Sequence, residues 1–255
     1  MTALAGRTAI VTGAGQGVGR GVALALAAAG AAVLIAARRA STGDPVAAEI
    51  EARGGRALCV PTDVTQPEQV DAAVAAAVER FGGLDVMVHN AFAARGGPVH
   101  RLEEVDDATW SIMSRSAVWA SYFCARSAFE PLRASGRGRL VLVSSPAGVE
   151  GSVNLPLYAA VKGAQRALAK SLAREWGPDR ITVNCIAPVA ETPALSGAFA
   201  RNPELKARVA ARSALGRVGE PEADIGPVVV WLAGDGAGYV TGQTIVCDGG
   251  GFIGL

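Results

Sequence analysis

The chain has few of the residues that build stapled or metal-centred domains. Its 255 residues include four cysteines, Cys59, Cys124, Cys185 and Cys247, far apart and without a C-x-x-C pair. The two histidines, His89 and His100, have no ligand-like neighbours at metal spacing. Buried reduced thiols and no metal site are therefore expected, not disulfides or zinc. Excess charge of one sign is also missing: the formal net charge is +1, and no basic run exceeds Arg38-Arg39. Neither nucleic acid nor an anionic membrane surface is an expected partner. The longest apolar run, Val22–Ala37, is broken by Gly30 and ends in those arginines, too short for a membrane span. Met1 to Arg7 carries neither a basic n-region nor an apolar core, so a cytoplasmic protein is expected. No repeat, low-complexity linker or shift in composition divides the chain. With half its residues hydrophobic, it reads as one domain over 1–255.

What is abundant is glycine, and glycine is concentrated where it carries chemistry. Thr8-Ala9-Ile10-Val11 reads as a buried strand, and Arg20 to Ala29 as a helix. Between them, Thr12-Gly13-Ala14-Gly15-Gln16-Gly17-Val18-Gly19 forms the turn. Strand, glycine turn and helix together bind a dinucleotide pyrophosphate: the backbone comes close to the phosphates, and the free N–H groups of the helix start attract their charge. Taken alone, the same stretch could be an ordinary tight turn.

Short apolar runs at Ala31–Ala37, Ala57–Pro61, Leu84–His89, Leu140–Ser144, Ile181–Ile186 and Thr244–Cys247 read as strands. Helical-length segments at 44–53, 67–80, 103–133, 156–176 and 221–233 separate them, and Pro67 and Pro221 suit first-turn positions. This alternation predicts an α/β fold, a doubly wound parallel sheet covered by helices on both faces. The stretch 189–216 fits the rhythm poorly and is expected to be irregular, either a lid over the strand ends or a solvated excursion.

Two further features bear on function. The second strand runs into Arg38-Arg39 with no acid before Asp44, which favours NADP(H) over NAD(H), because two guanidiniums can grip a ribose phosphate that a carboxylate would repel. The alternative is a pair of ordinary surface arginines. Asp63-Val64 follows the third strand and is placed to meet the adenine edge. Tyr158 and Lys162 lie four apart in a helical segment and share a face. An ammonium beside a phenol, together with the positive nicotinamide ring, favours the phenolate and draws its pKa of about 10 toward neutrality. Ser145 ends the fifth strand, where it could hold a substrate oxygen.

These motifs, in this order, resemble the short-chain dehydrogenase/reductase family nearly end to end. Thr12–Gly19 matches T-G-x-x-x-G-x-G, Leu84–Ala91 the fourth-strand motif, and Val183–Pro188 the sixth. Tyr158 follows Ser145 by the usual thirteen residues, with Lys162 after it, and Gly216–Pro221 and Thr241–Gly250 complete the series. The resemblance implies a Rossmann-like sheet of seven strands and hydride transfer between nicotinamide and a carbonyl/alcohol pair. It implies catalytic Ser145, Tyr158 and Lys162, and cofactor contacts from Gly13, Gln16, Gly17, Val18, Gly19, Asp63, Val64, Asn90 and Thr192, besides Tyr158 and Lys162 themselves. It also implies a homo-oligomer, tetramer or dimer, through the two long central helices.

Three positions depart from the family pattern. Phe92 stands where N-N-A-G has its glycine, and Ala117, next to Ser116, stands where an asparagine helps hold a water near the lysine. Val189 replaces the glycine after Pro188, and the stretch to Thr192 is one residue short. The leading expectation is an NADP(H)-dependent oxidoreductase acting on a small carbonyl or secondary alcohol. A nucleotide-binding scaffold that has lost catalysis, and an enzyme for 3-oxoacyl thioesters, are the alternatives. Substrate choice is expected from 189–216 and from Ala94–Val99, with Ala190, Ala194, Leu195, Ala198 and Phe199 forming an apolar wall or packing inward.

Overall fold

The computed structural model describes residues 2–93 and 99–252. Of the Ala94–Val99 stretch, only Val99 lies among the described residues. In chain order the elements are β1 (Thr8–Thr12), α1 (Gly17–Ala28), β2 (Ala32–Ala37), α2 (Ala40–Ala52), β3 (Arg56–Pro61), α3 (Pro67–Phe81) and β4 (Val86–His89). They continue with α4 (Asp107–Ser114), α5 (Ala120–Ala134), β5 (Arg139–Val143), α6 (Ala147–Glu150), α7 (Pro156–Glu175) and β6 (Thr182–Pro188). The last are α8 (Pro193–Arg201), α9 (Pro203–Arg212), α10 (Gly226–Ala233) and β7 (Thr244–Cys247). The seven strands form one parallel sheet in the order β3-β2-β1-β4-β5-β6-β7. Chain order reverses between β1 and β4, the position where open α/β sheets leave a crevice at their carboxyl ends.

Strand alternation sorts the core into two layers. Ala9, Val11, Val33, Ile35, Val86 and Val88 face one way and pack with α1, α2 and α10. Ile10, Leu34, Ala36, Met87, Leu140 and Leu142 face the other and pack with α3, α5 and α7. Successive side chains on a strand point to opposite faces, so one uniformly apolar strand supplies both layers. Glycine lets α1 and the chain entering α10 touch. A Cβ on Gly21 would collide with the Pro221 carbonyl carbon and lie 2.5 Å from the Glu222 nitrogen.

The helices differ from expectation in several places; 221–233, for one, opens in a π-helical turn, Pro221–Ile225, before α10. α2 starts at Ala40, not 44, because the Thr42 hydroxyl bonds the Arg39 carbonyl (2.9 Å) and Gly43, lacking a Cβ, lets the first turn lie against Cys59. The 103–133 segment divides into α4 and α5 around a π-helical turn, Arg115–Trp119, after an isolated 3-10 turn at Leu102–Glu104. The larger correction concerns 189–216, which is not irregular but carries α8 and α9. Thr192 caps α8 by accepting from the Leu195 N–H (3.3 Å), and a proline opens each helix, where a missing N–H costs nothing.

Gly21→Ala is expected to destabilise the protein by roughly 1–3 kcal/mol through overpacking, a fall of several degrees in Tm for a domain of this size. Thermal unfolding followed by circular dichroism measures it. An unchanged Tm would mean that α1 and the 221–225 turn do not touch as described.

Candidate active site

The carboxyl ends of β1 and β4 are joined by one hydroxyl. Thr12 Oγ1 accepts from the Asn90 N–H (3.0 Å) and the Ala91 N–H (3.1 Å) and lies 3.0 Å from His89 Nδ1. With both lone pairs taken, its proton goes to the imidazole, so Nδ1 accepts and the ring proton sits on Nε2. That Nε2 is buried with no partner among the described residues. Burial, and then the charge of Lys162, push the His89 pKa down to about 3, so the ring is neutral at physiological pH. The Asn90 side chain donates to the carbonyls of Thr12 (3.0 Å) and Gly13 (3.2 Å), fixing the glycine turn from below.

That turn can receive a phosphate. Gly13 and Gly17 have φ of 65° and 55°, the left-handed region that favours glycine. A Cβ at Gly13 would lie 2.8 Å from Ala91 Cα, and one at Gly19 would lie 2.5 Å from the Gly13 carbonyl. Gln16 is the N-cap of α1 but makes no side-chain cap bond, and no acid occupies the first turn. The leading N–H groups of α1 thus have no side-chain acceptor and meet the requirements of a pyrophosphate site. Val18 is half-buried against the core, and only its backbone reaches the turn. Thr192, from the other side of the cleft, comes within 3.3 Å of a Cβ placed on Gly17. Arg38 and Arg39 are exposed beyond β2 and pair with no carboxylate among the described residues. Asp63 begins the turn into α3, with Oδ1 accepting from the Thr65 N–H (2.9 Å) and hydroxyl (2.8 Å), and Oδ2 left for another donor. The Val64 side chain is buried in the core, so only its backbone can serve a ligand.

Ser145, Tyr158 and Lys162 meet in one corner beside this cleft. α7 brings Tyr158 and Lys162 to its inner face, and β5 ends just before Ser145. Burial raises the Tyr158 pKa, and a hydrogen bond with Ser145 opposes that rise. The Lys162 ammonium is buried and donates to the carbonyl of Val143 (2.7 Å) and to Gln165 Oε1 (3.1 Å). Burial pulls its pKa down to about 8. It stands 5.8 Å from the Tyr158 ring centroid and 5.1 Å from that of Phe92. Phe92 in turn packs edge-on against Tyr158, with centroids 5.2 Å apart. The expected lowering of the tyrosine pKa by the lysine is thus not seen in the chain alone. Desolvation dominates, and the hydroxyl that opposes it belongs to Ser145. Sequence reasoning missed Gln165, Ser144 (whose hydroxyl donates to the Lys162 carbonyl at 2.9 Å) and the hub role of Thr12. Gln165 had a legible signal, a polar side chain on the same inner face as Tyr158 and Lys162.

A cavity of about 250 Å³ opens from Ser145 between Val189, Leu195 and Val209, with Arg212 and Glu150 paired near its edge (3.5 Å). Of the residues expected to form an apolar wall, Leu195 lines it, and Val189 joins it there. Ala190 and Phe199 are buried instead as packing residues. Ala198 is half-buried, and the Ala194 side chain lies outside the described set.

Comparison with known proteins gives this arrangement a family. A family described as enoyl-(acyl carrier protein) reductase matches residues 13–251. A cis-4-hydroxycyclohexanecarboxylate dehydrogenase of Sinomonas cyclohexanicum is 38% identical over 249 residues, 97% of each chain. The chain belongs to the short-chain dehydrogenase/reductase family. A 3-alpha-(or 20-beta)-hydroxysteroid dehydrogenase of Mycobacterium tuberculosis is 36% identical, over 99% of this chain and 92% of that one. Among solved structures, one from Beutenbergia cavernae, provisionally described as an NAD(P) dependent gluconate 5-dehydrogenase and holding NADP at low occupancy, superposes with a TM-score of 0.89. It shares 36% identity, and 98% of each chain is covered. As a short-chain dehydrogenase/reductase, this protein is an NAD(P)-dependent oxidoreductase acting on alcohol or carbonyl groups. No described helix is long and apolar enough to cross a membrane.

His89 makes stability depend on acid. An unfolded histidine takes up a proton near pH 6.5, whereas the folded ring resists protonation down to about 3. Stability is therefore full above about 6.5 and falls as pH drops toward 3, by at most ~1.4 kcal/mol per pH unit. His89→Asn should flatten that limb in urea unfolding measured from pH 7 to pH 4. An equally steep limb in the variant would assign it to other groups.

Proposed function

We propose that this enzyme transfers a hydride between NADP(H) and a small carbonyl or secondary alcohol, with Tyr158 as general acid/base. The observation that carries the reading is the buried corner where Ser145, Tyr158 and Lys162 converge beside a turn able to take a pyrophosphate. The chemistry a bound nicotinamide supplies is the hydride itself. Ser145 orients the substrate oxygen, and Tyr158 gives that oxygen a proton in reduction or takes one in oxidation. Lys162 holds the nicotinamide ribose and places a positive charge beside the phenol. Burial keeps Tyr158 a neutral phenol at pH 7, the form that donates a proton.

The preference for NADP(H) rests on Arg38 and Arg39, exposed at the end of β2 with no carboxylate on either among the described residues. In this reading Gly13, Gln16, Gly17, Val18 and Gly19 cradle the pyrophosphate. Asp63 and the Val64 backbone meet the adenine, Asn90 holds the turn, and Thr192 closes over it. The segment 189–216, now seen as α8 and α9, is the lid. A homo-oligomer through the two long central helices, the 103–133 segment and α7, is part of this reading; on the first of them Trp110, Trp119 and Tyr122 stand 45%, 55% and 46% exposed. A thioester substrate has one observation behind it, the enoyl-(acyl carrier protein) reductase description of the matching family.

Two measurements test this reading. Tyr158→Phe is expected to lose at least about a hundredfold in kcat with 4-oxocyclohexanecarboxylate, cyclohexanone or acetoacetyl-CoA, whichever wild type reduces, while NADPH binds as before. Turnover at the wild-type rate would remove Tyr158 from the reaction. Arg38→Ala with Arg39→Ala should weaken NADPH binding by roughly ten- to a hundredfold and leave NADH unchanged, as expected for lost charge-assisted bonds. Equal weakening of both would overturn the phosphate assignment.

A further inference from the structure

Lys162 has a partner that the catalytic reading does not use. The ammonium has three N–H donors, and burial excludes water as their general acceptor. Two acceptors are supplied by the protein: the Val143 carbonyl at 2.7 Å and Gln165 Oε1 at 3.1 Å. Gln165 is 1% exposed. It sits one helical turn beyond Lys162 on α7, as Tyr158 sits one turn before it.

The orientation of the Gln165 amide is fixed from its far side. Its Nε2 donates to Ser121 Oγ (2.9 Å) and approaches the Ala117 carbonyl (3.5 Å). The Ser121 hydroxyl spends its own proton on that same carbonyl, at 2.7 Å. Ser121 can therefore only accept from the glutamine, so the amide nitrogen faces α5 and the amide oxygen faces the lysine. A reversed amide would set an NH₂ group against an ammonium. Ala117 lies in the π-helical turn between α4 and α5, so this position contributes a backbone carbonyl to the network.

We propose that Gln165 is a positioning residue for Lys162, held by Ser121 and the Ala117 carbonyl so that its amide oxygen keeps the ammonium charged and aimed at Tyr158. The inference rests on the reading of Lys162 as the partner of Tyr158. The titratable groups facing the ammonium are Tyr158 on its own helix, Cys185 from β6 and His89 from β4. The Cys124 thiol on α5 stands behind His89. His89 is neutral, burial holds the thiols of Cys124 and Cys185 up to about 12, and burial also raises Tyr158. Among the described residues no carboxylate faces the ammonium, so the neutral dipole of Gln165 is its one side-chain hydrogen-bond acceptor, beside the ring faces of Phe92 and Tyr158.

The chain has only three lysines, Lys162, Lys170 and Lys206, so protein labelled with [ε-13C]lysine gives a spectrum simple enough to follow Lys162 directly. Lys162→Arg assigns its resonance. In the full chain without added cofactor, Lys162 is expected to titrate near 8. Gln165→Met, close in volume, should move that midpoint down by about one pH unit or more, and Gln165→Glu should move it up by a similar amount. Ser121→Ala, which frees the amide to turn, should give a smaller downward shift and serves if Gln165→Met does not fold by circular dichroism. Opposite shifts for the methionine and glutamate variants, which a merely structural role would not produce, support the proposal. Midpoints that stay within about 0.3 of wild type in Gln165→Glu and Ser121→Ala overturn it. The readout needs neither turnover nor cofactor, so it remains decisive even if the Tyr158 assay fails.

Discussion

The Thr12 hydroxyl is the constraint on which the rest of the site depends. It joins β1 to β4 at the point where strand order reverses, by holding two backbone N–H groups and one imidazole nitrogen at once. Asn90 can then reach back to the Thr12 and Gly13 carbonyls, and the glycine turn is pinned before α1 begins. Because the hydroxyl has no capacity left, the histidine beside it must keep its proton on the far nitrogen. Burial keeps that ring neutral, and the way one threonine distributes three hydrogen bonds decides which of its nitrogens carries the proton.

Polar groups in this protein are buried where they do chemistry and paired almost everywhere they are buried. Lys162, Gln165, Ser121, Ser144, His89 and Asn184 are all nearly inaccessible. Left unpaired, such groups cost free energy comparable to a lost hydrogen bond each, and an unpaired charge costs more. The α7 face is therefore organised around satisfying donors: Val143 and Gln165 for the ammonium, Ser121 and Ala117 for the glutamine. The apolar layers give the sheet its stability, and the polar seam fixes which rotamers α7 presents to the cleft.

Strands were legible in the sequence because strand and core coincide here. Val33-Leu34-Ile35 is apolar on every residue because both faces of β2 are covered, and a short apolar run between turns has few other readings. The glycine turn, Ser145, Tyr158 and Lys162 could be found because each sits at a fixed offset from an element end. Three features were not legible. The helices in 189–216 were hidden by small residues and prolines, which read as irregular although Pro193 and Pro203 occupy the first turns where proline is tolerated. The π-helical turn at 115–119 has no composition signal, since it is a matter of hydrogen-bond register. The balance between Tyr158 and Lys162 could not be read from spacing, because desolvation depends on everything packed around them, Phe92 included.

The α8–α9 excursion is tied to the frame near its two ends, with an ion pair between them, Arg212 to Glu150. At one end Ala190 bridges to Gly219 and the Glu191 N–H donates to the Gly219 carbonyl (2.8 Å). At the other, the Ser213 hydroxyl donates to the Gly249 carbonyl (3.0 Å). Among the described residues, none of the hydrogen bonds that hold Ser144, Tyr158, Lys162 or Gln165 passes through the stretch between these two ends. The excursion is thus an interchangeable cassette. Leu195, Val209 and Arg212 can drift in sequence, and the cavity can change shape with them, while the groups that handle the proton stay as they are. A fold wired this way can acquire new substrates by altering one exposed segment, without renegotiating the buried polar seam.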